Sequence, residues 1–124
     1  MKSVPRISDA EWEIMLVFWQ SGAPLTSQEI IDSVAKQQNW NPKTVRTLLN
    51  RLLKKRALSF RKQGRVYQYS ACVSKEACVG ANSDSFLDRM FDGSLKPMLA
   101  HFIQEKRLTK AEIAELKRML DGKE

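Results

Sequence analysis

Residues 41–55 read NPKTVRTLLNRLLKK, and this stretch decides the fold. Asn41 can cap a helix whose first residue is Pro42, a position where the missing proline N–H costs nothing. From Val45 onward the apolar residues recur at helical spacing and form one stripe for burial. Residues placed about 100° apart leave a polar set on the opposite side: Lys43, Thr47, Asn50, Arg51 and Lys54. The stretch therefore predicts a helix with a core face and a basic, hydrogen-bonding outer face.

Two helices are predicted before this one, and a hairpin after it. A capping box at Ser8 opens a helix near residues 9–20, and a second capping box at Thr26 opens a helix that ends near Gln38. Residues 59–69 alternate aromatic and β-branched residues with polar ones, around a turn at Gln63 and Gly64. Three helices followed by a hairpin is the order of a winged helix, so residues 1–72 are predicted to form a winged helix-turn-helix domain.

The remainder, residues 73–124, predicts three helices that form a dimerisation domain. Ser74, Ser94 and Thr109 stand where these helices begin, and Gly80 is expected to interrupt the first of them. Each helix has an apolar stripe, but about 50 residues have little core of their own, so we expect a second copy to cover the stripes. The expected interface residues are Phe86, Leu87, Met90, Leu95, Met98, Leu99, Phe102, Ile103, Ile113, Leu116 and Leu120. The expected fold class is mainly α with a small β-hairpin wing.

The net charge of +7 is concentrated in the first part of the chain. Residues 1–72 contain twelve Lys and Arg against five Asp and Glu, whereas residues 73–124 contain nine of each. No acidic residue lies between Asp32 and Glu76, although ten Lys and Arg lie from Lys36 to Arg65. A solvated face usually mixes both signs, so this single-sign stretch predicts a polyanionic partner.

Double-stranded DNA is the partner that these residue types fit best, because a basic helix can enter the major groove and read base edges there. The candidate base-reading residues are Lys43, Thr44, Arg46, Thr47 and Asn50. The candidate phosphate-binding residues are Arg51, Lys54, Lys55, Arg61, Lys62 and Arg65. A sequence-indifferent DNA- or RNA-binding architectural protein is the alternative that the same charge allows. The aromatic residues are expected in the core rather than as stacking platforms: Trp12, Trp19, Trp40, Phe60, Tyr67 and Tyr69.

Other classes of protein are disfavoured. One His and no clustered catalytic groups predict that the chain is not an enzyme and needs no cofactor. Cys72 and Cys78 are expected to be reduced thiols, and without further ligands they predict no metal site. The longest apolar run, residues 14–19, is too short to insert into a membrane, and we expect a cytoplasmic protein.

Four segments in order resemble the BlaI/MecI/CopY penicillinase-repressor family: residues 7–15 (ISDAEWEIM), 40–52 (WNPKTVRTLLNRL), 64–70 (GRVYQYS) and 91–95 (FDGSL). The resemblance extends over nearly the whole chain. It implies a winged-helix homodimer that represses transcription from inverted-repeat operators, often with TACA and TGTA half-sites. It also implies dimerisation through the C-terminal helices.

The resemblance implies two inducing signals, which the sequence supports unequally. Copper-responsive members carry paired Cys-x-Cys motifs at the end, where this chain reads LDGKE, so copper sensing is disfavoured. β-Lactam-responsive members are inactivated when a membrane-bound sensor protease leads, directly or indirectly, to cleavage before a Phe in the dimerisation region. Phe102 occupies a similar place here and His101 precedes it, where the best-known members have Asn. Ordinary packing of the dimer helices is the alternative role for these two residues.

Overall fold

The structure is a computed structural model that describes residues 4–122. Within them the elements are α1 (Asp9–Ser21), β1 (Leu25–Thr26), α2 (Ser27–Gln38), α3 (Pro42–Lys54), β2 (Leu58–Gln63), β3 (Val66–Ala71), α4 (Lys75–Phe91), α5 (Leu95–Gln104) and α6 (Lys110–Asp121). The mainly helical composition with one small antiparallel sheet confirms the predicted fold class. Along the chain, two compact units meet between Asn82 and Ser83.

The first three helices begin at the predicted caps. The Ser8 hydroxyl accepts from the Glu11 backbone N–H at 3.2 Å, while the Glu11 carboxylate accepts from the Ser8 N–H at 2.9 Å. Thr26 and Glu29 repeat this reciprocal pair at α2. At α3 the Asn41 side-chain oxygen accepts from a backbone N–H at 2.9 Å. These bonds satisfy donors that a helix start leaves unpaired, which is why the sequence locates the helices so well.

The sheet contains the predicted hairpin and one strand that was not predicted. Strands β2 and β3 pair in an antiparallel ladder from Gln63↔Val66 at the tip to Leu58↔Ala71 at the base. The two-residue turn begins at Gly64, one residue later than expected, and its φ of 66° is a conformation that glycine adopts without strain. The short β1 pairs with β3, giving the order β1-β3-β2. Two residues are too few to show an alternation, so β1 had no detectable pattern.

The core of the first unit lies between α1, α2, α3 and the base of the sheet. The predicted stripe of α3 is buried there, and the Trp19 indole N–H donates to the Val73 carbonyl at 3.0 Å. Cys78, in the first turns of α4, is fully buried in the same unit, and burial raises the pKa of its thiol. The domain boundary after residue 72 stays a prediction.

The second unit contains the end of α4 together with α5 and α6. Contrary to expectation, α4 continues through Gly80 without interruption, because a glycine keeps its backbone hydrogen bonds and costs a helix only about 1 kcal/mol. Helix α5 begins after Ser94, but the Ser94 hydroxyl makes no capping bond. Helix α6 begins with the predicted capping box of Thr109 and Glu112, whose bond from the Thr109 backbone N–H lowers the pKa of Glu112.

Residues 4–122 contain neither a membrane-spanning helix nor a metal-binding cluster of side chains. No helix in this range is long and apolar enough to cross a membrane. Nor does the range bring together three His, Cys, Asp or Glu side chains in a group that could hold a metal ion.

An ion pair between a buried carboxylate and an exposed lysine joins α1 to the residue that follows α3. The Glu11 side chain is only 2% exposed, and its carboxylate accepts from the Lys55 ammonium. The same ammonium donates to the Arg6 carbonyl at 2.7 Å. Burial works to raise the pKa of Glu11, but the hydrogen bonds from Lys55 and Ser8 outweigh it and hold that pKa below the ordinary value. The carboxylate is therefore charged in the folded protein at neutral pH.

We expect Lys55→Met to lower the free energy of unfolding at neutral pH by about 1–3 kcal/mol, because it leaves a buried carboxylate without its cation. In the wild type, the lowered pKa of Glu11 gives stability that is present at neutral pH and is lost as the pH falls through the folded-state pKa. The variant should lose less stability between about pH 6 and about pH 3, the window around an ordinary glutamate. Urea unfolding across this range measures both effects.

Lys54→Met is the matched control, since Lys54 is the exposed neighbour and lies outside this ion pair. Equal unfolding free energies for the two variants at neutral pH would contradict a stabilising role for the pair.

Candidate nucleic-acid interface

The outer face of α3 presents the predicted base-reading residues to solvent. Lys43, Arg46, Thr47 and Asn50 are exposed, and Thr44 is half-buried. The opposite side of the same helix carries residues that are almost completely buried, such as Val45 and Leu52 at 0% exposure. Burial on that side fixes the rotation of α3 about its own axis, so the polar face cannot turn inward.

Both threonines on this face have committed their hydroxyl hydrogens within the helix. The Thr44 hydroxyl donates to the side-chain oxygen of Asn41 at 3.1 Å, and the Thr47 hydroxyl donates to the Lys43 carbonyl at 3.0 Å. Each threonine then offers a partner its oxygen lone pairs and its methyl group. A methyl group on this face suits contact with the methyl of thymine.

Two open clefts flank the polar face of α3. One, of about 280 Å³, is lined by Asn41, Lys43, Thr44, Thr47, Leu48 and Arg51. The other, of about 140 Å³, is lined by Ser27, Arg46, Leu49, Asn50 and Tyr69. The predicted base-reading residues therefore lie on one helix face but divide between two flanks. Ser27 and Tyr69 were absent from the sequence-based set, because nothing in the sequence places the start of α2 and a residue of β3 beside α3.

Five of the six predicted phosphate-binding residues are exposed cations, and the sixth, Lys55, is already bonded to other groups of the protein. Arg51 and Lys54 are exposed near the end of α3, and three more cations are exposed on the hairpin: Arg61, Lys62 and Arg65. Lys55 is the exception, since its ammonium is bonded to Glu11 and to the Arg6 carbonyl. Its predicted role as a phosphate ligand conflicts with this ion pair.

The hairpin exposes two aromatic rings, which corrects the expectation that Phe60 and Tyr67 are core residues. Phe60 is 55% exposed and Tyr67 is 44% exposed. Their rings meet edge to face with centroids 5.1 Å apart, and the Lys62 ammonium lies 6.0 Å from the Tyr67 ring centroid. The hairpin extends beyond the core, so residues near its tip have no helix to cover them. The mutual packing of the rings stiffens the hairpin.

The second unit has the properties expected of a surface that needs a partner. Helices α5 and α6 contain no buried residue. Among the predicted dimerisation residues, the exposed ones are Phe86, Met90, Leu95, Ile103, Leu116 and Leu120, whereas Leu87, Met98, Leu99, Phe102 and Ile113 are partly buried. Met119, which is 62% exposed, was not among the predicted residues. Single copies of soluble proteins seldom expose this much apolar surface in so short a segment.

The candidate cleavage residues lie inside α5. His101 is exposed and Phe102 is half-buried, with ring centroids 5.4 Å apart. The Phe91 ring lies 6.2 Å from the His101 ring. The bond between His101 and Phe102 therefore lies in a continuous helix, close to its end at Gln104.

Comparisons with known proteins agree with the fold described above. The chain matches the Penicillinase repressor family over residues 7–122. It is 39% identical over 121 residues to the penicillinase repressor of Bacillus licheniformis. The aligned region covers 98% of this chain and 94% of that protein. The chain is 32% identical over 117 residues to the methicillin resistance regulatory protein MecI of Staphylococcus aureus strain N315. The aligned region covers 94% of this chain and 94% of that protein.

Among solved structures, the monomeric form of Bacillus licheniformis BlaI in complex with the blaP half-operator is similar to this chain. The match has a TM-score of 0.54 and 42% sequence identity, and covers 62% of this chain and 93% of that one. Because the family match covers most of the sequence and the relatives align over nearly their whole length, the chain belongs to the penicillinase repressor family.

Proposed function

We propose that this chain is a homodimeric repressor that binds inverted-repeat operators through α3 and the hairpin. The chain is a DNA-binding repressor of its family, and the proposal adds the two-fold symmetry and the operator class. The observation that carries it is the exposed cationic face of α3, which its own buried stripe orients outward. The relative BlaI binds a half-operator in its monomeric form, which supports operator binding by this chain.

In this proposal the beginning of α3 reads bases, because the N-terminal part of a recognition helix approaches base edges in the major groove. Lys43, Thr44, Arg46, Thr47 and Asn50 are the proposed base-reading residues. Arg51, Lys54, Arg61, Lys62 and Arg65 are the proposed phosphate ligands, and Lys55 is left out because of its bonds to Glu11 and Arg6. No catalytic step or cofactor is part of the proposal, and a repressor of this kind acts in the cytoplasm.

Dimerisation is proposed through the second unit. Its helices expose apolar residues such as Leu95 at 52% and Leu120 at 67%, and a second copy would remove them from water. A two-fold dimer pairs two identical recognition helices, which matches half-sites separated by about one helical turn of DNA or a multiple of it. The operator would then be an inverted repeat.

The proposed target genes are those of β-lactam resistance, since the relatives are named as repressors of penicillinase and regulators of methicillin resistance. The release mechanism is proposed to be cleavage between His101 and Phe102, caused directly or indirectly by a membrane-bound sensor protease. A protease needs an extended substrate, and this bond lies near the end of α5, so only the last turn must unwind.

We expect Lys43→Ala and Lys62→Ala to differ in specificity although both remove one positive charge. Lys43→Ala should lower the ratio of operator to random-duplex affinity about 5- to 100-fold, because one base contact is worth about 1–3 kcal/mol. Lys62→Ala should weaken both affinities by the same factor and reduce the salt slope by about one. Competition binding on a duplex that the wild-type protein selects from a random library measures these ratios.

The same experiment tests the alternative of a sequence-indifferent nucleic-acid binder. A library that yields no enriched inverted repeat, or a Lys43→Ala variant that keeps the wild-type affinity ratio, would favour that alternative. RNA of the same length is included as a competitor to separate DNA from RNA binding.

We expect Leu116→Glu to weaken the dimer and thereby lower affinity for a full inverted repeat while leaving affinity for a half-site unchanged. The glutamate would place a charge within the apolar stripe that the partner copy covers. Ala111→Glu is the matched control, since it adds the same charge on the opposite face of α6, where no interface is proposed. Sedimentation gives the dimerisation constant, and a monomeric wild-type protein at working concentration would contradict the proposal.

We expect cells that carry the sensor protease to convert the chain into two fragments, split between His101 and Phe102, after exposure to a β-lactam. Intact-mass spectrometry of the chain recovered from these cells locates the cut. An intact chain under conditions that induce the penicillinase would argue against release by cleavage.

A further inference from the structure

We propose that the cleft between the start of α2, the flank of α3 and β3 is a binding site for one DNA backbone phosphate, with the hydroxyls of Ser27 and Tyr69 as ligands. This inference rests on the proposed DNA binding and assigns a ligand to two residues that the sequence did not single out. The cleft has a volume of about 140 Å³, which accommodates a phosphodiester group, and Leu49 at 2% exposure forms its apolar lining.

The polar groups of the cleft are donors of the kinds that bind phosphate oxygens. Ser27 and Tyr69 contribute hydroxyls, Arg46 a guanidinium and Asn50 an amide. No carboxylate lines the cleft. Within residues 4–122, none of these four polar groups takes part in a side-chain hydrogen bond or an ion pair with the rest of the protein.

The position of the cleft favours a phosphate over a base. An α-helix of about 10–12 Å diameter fills a major groove about 12 Å wide, so the flanks of the helix face the two walls of phosphates. Arg46 and Asn50 lie on the flank of α3 that faces this cleft, whereas Lys43 and Thr47 line the cleft on the other flank. Arg46 carries five N–H donors, so it can contact a phosphate here and a base edge at the same time.

A phosphate bound in this cleft would also fix the position of α2 and the hairpin on the DNA. Ser27 is the first residue of α2, and Tyr69 pairs with Phe60 and Leu25 in the sheet. A phosphate held by both hydroxyls would tie α2 and the hairpin to the same point on the backbone. Contacts of this kind set the register in which the recognition helix meets the bases.

The test uses the full-length protein with Tyr69→Phe, with Ser27→Ala and with both. Tyr69→Phe keeps the ring that packs against the core, and Ser27 is not the capping residue of α2, so neither change should alter folding. Each single variant is expected to bind the selected duplex about 5- to 30-fold more weakly, and the random duplex more weakly by the same factor. Because neutral hydroxyls displace no counterion, the salt slope should stay at the wild-type value.

Ser83→Ala is the control, since it removes a hydroxyl from an exposed serine of the second unit that does not line the cleft. It should bind like the wild type. Wild-type affinity for the double variant, or a loss confined to the selected duplex, would overturn the phosphate assignment.

A second measurement identifies the phosphate itself. Duplexes in which a single phosphate is replaced by a neutral methylphosphonate are scanned across the selected site. At one position per half-site the replacement should weaken the wild-type protein more than it weakens the double variant, which is the coupling expected of a direct contact. Additive losses at every position would overturn the inference. If the wild-type protein binds no duplex at all, the proposed function fails; if it binds and the variants match it, only the cleft assignment fails.

Discussion

The structure depends on one constraint, which is that a single helix of 13 residues buries one face in the core and presents a basic face to solvent. The buried stripe through Val45, Leu49 and Leu52 sets the rotation of α3 about its axis. Apolar burial of this kind is worth several kcal/mol and is non-directional, whereas the outer residues contribute little to folding. The stability of the domain and the orientation of its polar face therefore have a common physical cause.

The Glu11–Lys55 pair complements this arrangement where the apolar stripe ends. Helix α3 terminates at Lys54, and the following residue places its ammonium between the carboxylate of α1 and the carbonyl of Arg6. Lys55 is therefore bonded to two acceptors within the protein, whereas Arg51 and Lys54 of the same segment are exposed. Burial of the Glu11 carboxylate costs desolvation, and its bond to Lys55 offsets that cost while it joins the end of α3 to α1.

Much of the fold could be predicted because its signals are local. Capping boxes and helical periodicity involve residues within one or two turns of each other, so Ser8, Thr26 and Thr109 marked helix starts correctly. The features that escaped prediction depend on distant parts of the chain. The pairing of β1 with β3, and the ion pair of Lys55 across 44 residues, leave no trace in local sequence pattern.

The candidate site shows the same division between local and distant information. The polar face of α3 was predictable because 100° spacing is a local property, but the cleft that α3 forms with α2 and β3 was not, because those elements are distant in sequence. Tyr69 illustrates the point: composition assigned it to the core, and it does pack against the core, yet it also lines the cleft with Arg46. An amphipathic side chain can serve both purposes because its apolar body and its polar end reach different surroundings. A residue predicted as core from its ring can therefore still contribute to the DNA-binding surface through its hydroxyl.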